Sequence, residues 1–404
     1  MLSDNAIERL AQPIIDRQEA VNNYVVGVIA ERVGEIGKLS PTELHKLNQL
    51  VRSGSDIRKI NKALADSLNL SVKDTKKLIK TVAKDTYQDM KPFYDYRHKS
   101  FLPLEKNKKI NDVVKSIEKQ TDGTFNNISK AQAFMKRDPV TKKLRPTKIA
   151  KTYQEIIDQA IQAVTMGGVD FNTAMRRALR QLADSGIRVA EYNPASGRYY
   201  SQRLDTAVRR NILDGVHVVR QGISDAAGEQ FGADGKEISV HDYSALDHEP
   251  IQGHQFSNEE FDKLQNNMPF KDALGNKFSA IKRAIGIWNC RHFTSSIILG
   301  VSKPLYSPEK LQNIIDKNHK GYTFPDGKHI TMYEATQYQR ELETKIRHLK
   351  DAHIMAQKAG DERLMKEYEA KIAKYRKEYN EFSKATKLPI KRDRMAVSGY
   401  IPLR

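Results

Sequence analysis

One group of residues has the composition for bond-making chemistry: His241, His248 and His254, followed after a lysine-bearing stretch by Cys290 and His292. Thiolate and imidazole suit zinc, so Cys290, His292 and two of the upstream histidines could form a donor set. The same residues could supply a thiol nucleophile and its base, since the two need only meet in space. Arg291 would then lower the thiol's pKa. The spacing pre-forms neither arrangement. There is no i,i+4 histidine pair, no C-x2-C and no recognisable oxyanion hole. The third alternative is a small buried core holding Trp288 and Cys290, between the apolar runs 284–287 and 297–301. There the histidines and Arg291 would bond loop backbone, His248 and Gln252 would tie the preceding loop, and Gly253 would supply a conformation larger residues resist. This third reading is taken forward: no catalytic residue, no metal ligand and no cofactor.

Other familiar chemistry is missing. The chain has no G-x-x-x-x-G-K-[ST] phosphate loop, no G-x-S-x-G, no H-E-x-x-H and no G-x-G-x-x-G. The carboxylates Asp242, Asp247, Glu249, Glu259, Glu260 and Asp262 are expected to line a solvated helix rather than an acid–base site. The single cysteine among 404 residues excludes an internal disulfide framework and points to assembly in a reducing cytoplasm. No apolar run reaches the ~18–20 residues of a membrane span. The start, MLSDNAIERL, lacks the basic and apolar regions of a signal peptide. With 68 Lys+Arg against 50 Asp+Glu the formal net charge is +18, which favours a polyanionic neighbour, nucleic acid first.

The elements that must position these residues read as predominantly helical α+β. Residues 1–90 form a helical region, with Ser40-Pro41-Thr-Glu43 as a helix start and Ser71-Val-Lys-Asp74 opening another helix. Residues 91–150 read as an irregular linker or arm, broken at Pro92, Pro103, Thr121–Thr124 and Pro139. Helical periodicity returns over 151–235. A small α+β module follows at 236–331, opening with a strand at Glu237–His241 and closing with a β-hairpin turned at Pro325-Asp-Gly327. Residues 332–386 carry narrow apolar stripes on both sides of Gly360-Asp361, the pattern of an amphipathic helical hairpin. Residues 387–404 form a basic, extended tail.

The segment from His248 to Ser257, including Gln252, Gly253 and Phe256, and the segment Gly286-Ile-Trp288-Asn289-Cys290-Arg291-His292 with Gly300-Val-Ser302 closely resemble the signature of the phage minor capsid protein 2 family. These are tailed-phage head proteins related to the Mu F-like head morphogenesis group. The likeness continues in Arg177–Ile187, Ser196-Gly-Arg198 and Ala207–Asn211, then in Tyr333–Arg340 and Tyr379–Thr386. The Mu F-like group often has Cys-Arg-Cys where this chain has Cys290-Arg291-His292. The resemblance implies a low-copy structural protein of the head, lying in the virion near the portal and acting in head assembly and DNA packaging or delivery. Its implied partners are the portal protein, the major capsid protein or scaffold, and double-stranded DNA held without sequence preference. Membrane is not among them. The competing expectations are a toxin or nuclease-like effector delivered with the genome, and an assembly scaffold absent from the mature particle.

Overall fold

The computed structural model describes residues 2, 4–36, 39–138, 140–165, 171–194, 196–286, 290 and 292–403. The N-terminal helices are α1 (Asp4–Ile36), α2 (Pro41–Arg52), α3 (Ser55–Asp89), α4 (Lys91–Tyr96) and α5 (Lys108–Lys130). Strands β1 (Gln132–Arg137) and β2 (Leu144–Thr147) precede α6 (Ile149–Thr165) and α7 (Phe171–Ser185). Next come β3 (Arg188–Asn193), β4 (Arg198–Arg203) and α8 (Leu204–Phe231). The following module holds β5 (Gly235–Ile238), β6 (Gln255–Ser257), α9 (Asn258–Gln265), β7 (Phe270–Lys271), β8 (Lys277–Phe278) and β9 (Thr294–Ile297). The chain then continues through α10 (Pro308–Lys320), β10 (Tyr322–Thr323), β11 (His329–Ile330), α11 (Met332–Ala359) and α12 (Glu362–Thr386). The predominantly helical α+β class expected from the sequence is the class observed.

Local chemistry explains most of these boundaries. Ser40 caps α2: its hydroxyl accepts from the Glu43 N–H, while the Glu43 carboxylate accepts from the Ser40 N–H, with Pro41 in the first turn. The expected helix start at Ser71 is absent, because α3 runs through it. Ser71 is fully buried, and its hydroxyl accepts from Gln18 Nε2 at 2.8 Å instead of capping a helix. Residues 91–150 are not a loose arm: α5 crosses the expected break at Thr121–Thr124 without interruption. A helical glycine costs about 1 kcal/mol against alanine, and Gly123 is outweighed by Ile110, Val114, Ile117, Phe125 and Ile128, all buried.

The chain folds as two compact units, each assembled from separated stretches. The first takes Met1–Ala11, Asp74–Gly123 and Arg210–Tyr338; the second takes Gln12–Lys73, Thr124–Arg209 and Gln339–Arg404. In the second unit an antiparallel sheet of order β2-β1-β3-β4 pairs Phe134 with Thr147 and Glu191 with Tyr200. Pro146, which lacks an N–H, lies on the edge strand β2. Helices α11 and α12 form the expected antiparallel hairpin. Gln339 Nε2 donates to Ser383 Oγ at 2.8 Å, and Tyr379 Oη donates to Glu343 Oε1 at 3.1 Å. In the first unit, α3 and α5 run antiparallel, joined by Lys76–Asp122 at 2.7 Å and Lys80–Glu118 at 3.3 Å. Beside α4 the rings of Tyr87, Tyr94, Phe101 and Phe231 stack edge and face, with centroids 4.6–5.6 Å apart in three of the contacts.

Candidate cysteine–histidine site

The candidate residues belong to the first unit, around an antiparallel sheet of order β6-β5-β9. Gly235 on β5 faces Ser257 on one side and Ile297 on the other. The strand expected at Glu237–His241 is found at Gly235–Ile238, starting two and ending three residues earlier, so Ser239 to His241 begin a loop. Under the sheet lies an apolar cluster of Ile238, Ile251, Phe256, Phe261, Leu264, Phe270, Ile281 and Ile285. Phe278 stacks on Phe270, with centroids 5.2 Å apart and planes 9° from parallel. Cys290 packs against this cluster with part of its surface open. Beside Phe256 and the isoleucines, this core rests on Phe261, Phe270 and Phe278, which carry no motif signal in the sequence. Trp288, Asn289 and Arg291 lie outside the described residues.

The loop between β5 and β6 is held at several atoms. The Gly253 N–H donates to Ile238 O at 2.9 Å, and Gly253 has φ +74. A Cβ there would sit 2.5 Å from Leu311 Cδ2 and 2.9 Å from Val240 Cγ2, so both conformation and space demand glycine. Gln252 Oε1 accepts from the His241 N–H at 3.0 Å. His248 is buried, and its Nε2 donates to Arg283 O at 2.8 Å. Arg283 in turn grips Asp247 with two 2.7 Å bonds, which holds the Asp247 carboxyl below the ordinary carboxylate range.

The histidines part company at this point. His254 turns away, its Nδ1 2.8 Å from Asp272 Oδ2. His248 and His292 both approach the cysteine: His248 Nδ1 lies 3.3 Å and His292 Nδ1 3.5 Å from Cys290 Sγ. His241 stands edge-on to His292, ring centroids 4.7 Å apart. Backbone N–H groups of Gly286 and His292 also point at the sulfur. His292 is deeply buried and repelled by His241, His248 and His217, which pushes its pKa down to about 2, so the ring is neutral near pH 7. Against the cost of burial, hydrogen bonds from His248 and these amides draw the Cys290 thiol below its usual value. His217, from α8, was not foreseen. Its Nε2 occupies the space a Gly286 side chain would need, and a lone histidine inside an otherwise helical pattern gives no local signal.

The carboxylates correct an expectation. Only Glu259, Glu260 and Asp262 lie on α9. Glu249 is buried at the start of a short 3-10 helix (Glu249–Ile251), where it accepts from Asn318 Nδ2 at 2.7 Å and lies 2.8 Å from His319 Nε2. Asp247 is committed to Arg283. These groups fasten the loop to α10 and to the Arg283 segment; a solvated helix face is the wrong description of them.

A family model for phage minor capsid protein 2 matches residues 2–384, nearly the whole chain. The chain belongs to this phage minor capsid protein family. It is thus a bacteriophage head protein with a structural role, and its place is the virion. The match includes the first 150 residues, for which the sequence alone offered no quotable motif. No curated protein and no solved structure matches the chain. No helix among the described residues is long and apolar enough to cross a membrane.

Proposed function

We propose that this phage minor capsid protein is a non-enzymatic component of the head near the portal vertex. It contacts the portal protein and the major capsid protein or scaffold during assembly, and touches packaged double-stranded DNA without reading its sequence. Membership of the capsid family supports the setting. The DNA contact is carried by one observation in the first unit: beside the ion pairs that join α3 and α5, Lys77, Lys84, Lys115 and Lys119 are exposed on a chain of net charge +18. Lysines in this arrangement neutralise phosphates and release counterions, a contact that carries no base information.

The test is DNA binding measured across a salt series. Affinity for unrelated duplexes is expected to be equal at a given salt and to fall steeply as salt rises. Replacing Lys77, Lys84, Lys115 and Lys119 together by alanine should lower the slope of log K against log salt by about one for each lysine removed. A slope unchanged in that variant would move the contact elsewhere, and a strong preference for one sequence would refute it. Cross-linking mass spectrometry of purified particles tests the portal placement, through cross-links to portal subunits.

A further inference from the structure

We propose that His248, Cys290 and His292 are the protein ligands of a zinc ion. One ring nitrogen of each histidine and the cysteine sulfur all lie within 4.8 Å of one another. A tetrahedral zinc with a sulfur at about 2.3 Å and a nitrogen at about 2.0–2.1 Å holds those two atoms about 3.5 Å apart. The two sulfur–nitrogen separations here, 3.3 and 3.5 Å, match that spacing.

The hydrogen bonds around the ligands show which ring nitrogen of each histidine is anchored away from the sulfur. The Gln252 oxygen faces the His241 N–H, because the reversed amide would set donor against donor. The same oxygen lies 3.3 Å from His292 Nε2, so that nitrogen is the protonated one and Nδ1 is left with a lone pair. His248 likewise spends its Nε2 proton on the Arg283 carbonyl. His292 Nδ1 therefore aims a lone pair at the sulfur, and His248 Nδ1 faces the same atom, where metal binding would displace any proton that it carries. A divalent cation satisfies all three donors at once. Anchoring the far ring nitrogen on a carbonyl or amide oxygen is also how metal-binding histidines are held, and amide N–H groups directed at the sulfur complete the support. A cysteine nucleophile needs one base, whereas this partly exposed sulfur faces two buried histidines. The ion would tie the β5–β6 loop to the segment entering β9.

The experiment uses the full chain, purified without chelator and assayed for metal by plasma mass spectrometry alongside Cys290→Ala and Gln252→Leu. Roughly one zinc per chain is expected, lost in Cys290→Ala. Zinc should be retained but bound about 10–100-fold more weakly in Gln252→Leu, which keeps every ligand and removes the oxygen that holds His292 Nε2 and the His241 N–H. The stripped, unsubstituted chain is then titrated with cobalt(II), so the result does not depend on how the variants fold. A thiolate-to-cobalt charge-transfer band with intense tetrahedral visible bands supports the site. A chain that takes up neither metal, a cobalt spectrum without a thiolate band, or zinc held equally by folded Cys290→Ala overturns it. So does a metal-free thiol that labels rapidly at neutral pH, which would mark a nucleophile instead.

Discussion

Among single residues, the charges buried in the second unit are the most sensitive to solution conditions. Arg203 and Arg347 sit among Glu19, Asp205 and Asp351, with Arg347 2.9 Å from Glu19 and Arg203 3.0 Å from Asp205. Burial would raise the Asp205 carboxyl, but the two guanidiniums outweigh it and hold its pKa at about 2. Glu19 goes the other way: burial, with Asp205 and Asp351 repelling it, outweighs Arg347 and lifts its pKa to about 7. The native state then holds a proton on Glu19 that the unfolded chain releases above its ordinary value of 4.5. Stability is therefore expected to fall as pH rises from about 4.5 to about 7, by on the order of 3 kcal/mol. His353 acts with the opposite sign. It is fully buried, neither ring nitrogen has a hydrogen-bond partner among the described residues, and burial keeps its pKa below the usual 6.5. Its share of stability is present above pH 6.5 and drains away as pH falls below that value. Melting temperature against pH for the wild type, Glu19→Gln and His353→Phe checks both signs: the first variant should flatten the decline toward neutral pH, the second the decline toward acid.

For whole elements, the helical hairpin of α11 and α12 was the most legible part of the sequence, and it carries the clearest stability prediction. Leu342, Ile346, Ile372 and Tyr379 are all buried, so Ile346→Ala should cost about 2–5 kcal/mol in chemical denaturation. The double change to aspartate at Ile346 and Ile372 should unfold the second unit, Gln12–Lys73 included, with limited proteolysis showing early cuts there. What the periodicity missed is the depth of burial: every residue from Asp351 to Ala356 is buried, so the apolar face of α11 is no narrow stripe. Asp351 and His353 disguise that enclosure, because a hydropathy pattern counts buried polar residues as solvent-facing. The strands β1 to β4 escaped for a related reason. In β3 only Val189 is buried, and β4 has no buried residue, so neither shows the apolar–polar alternation by which a strand is recognised. The cysteine–histidine site was half legible. The residue types were visible, but which histidines converge on Cys290 depends on the Gln252 and Arg283 anchors, and no sequence spacing encodes these.

At the scale of the molecule, the decisive feature is that neither unit is a continuous stretch of chain. A fragment of residues 1–150 carries incomplete parts of both units, and so does 151–404. Each alone should lack the cooperative thermal transition of the full chain, and calorimetry on the separate and mixed fragments checks this. The interleaving also has a consequence for synthesis. At roughly 5–20 residues per second, a ribosome takes about 20–80 s over this chain. The first unit cannot close until Tyr338 has left the exit tunnel, and the second still lacks Gln339–Arg404 at that moment. For most of its translation the protein is a half-built core with apolar helix faces open to solvent. Arrested nascent chains ending near residue 300 should therefore be held by host chaperones and cut readily by protease, whereas released full-length protein should resist.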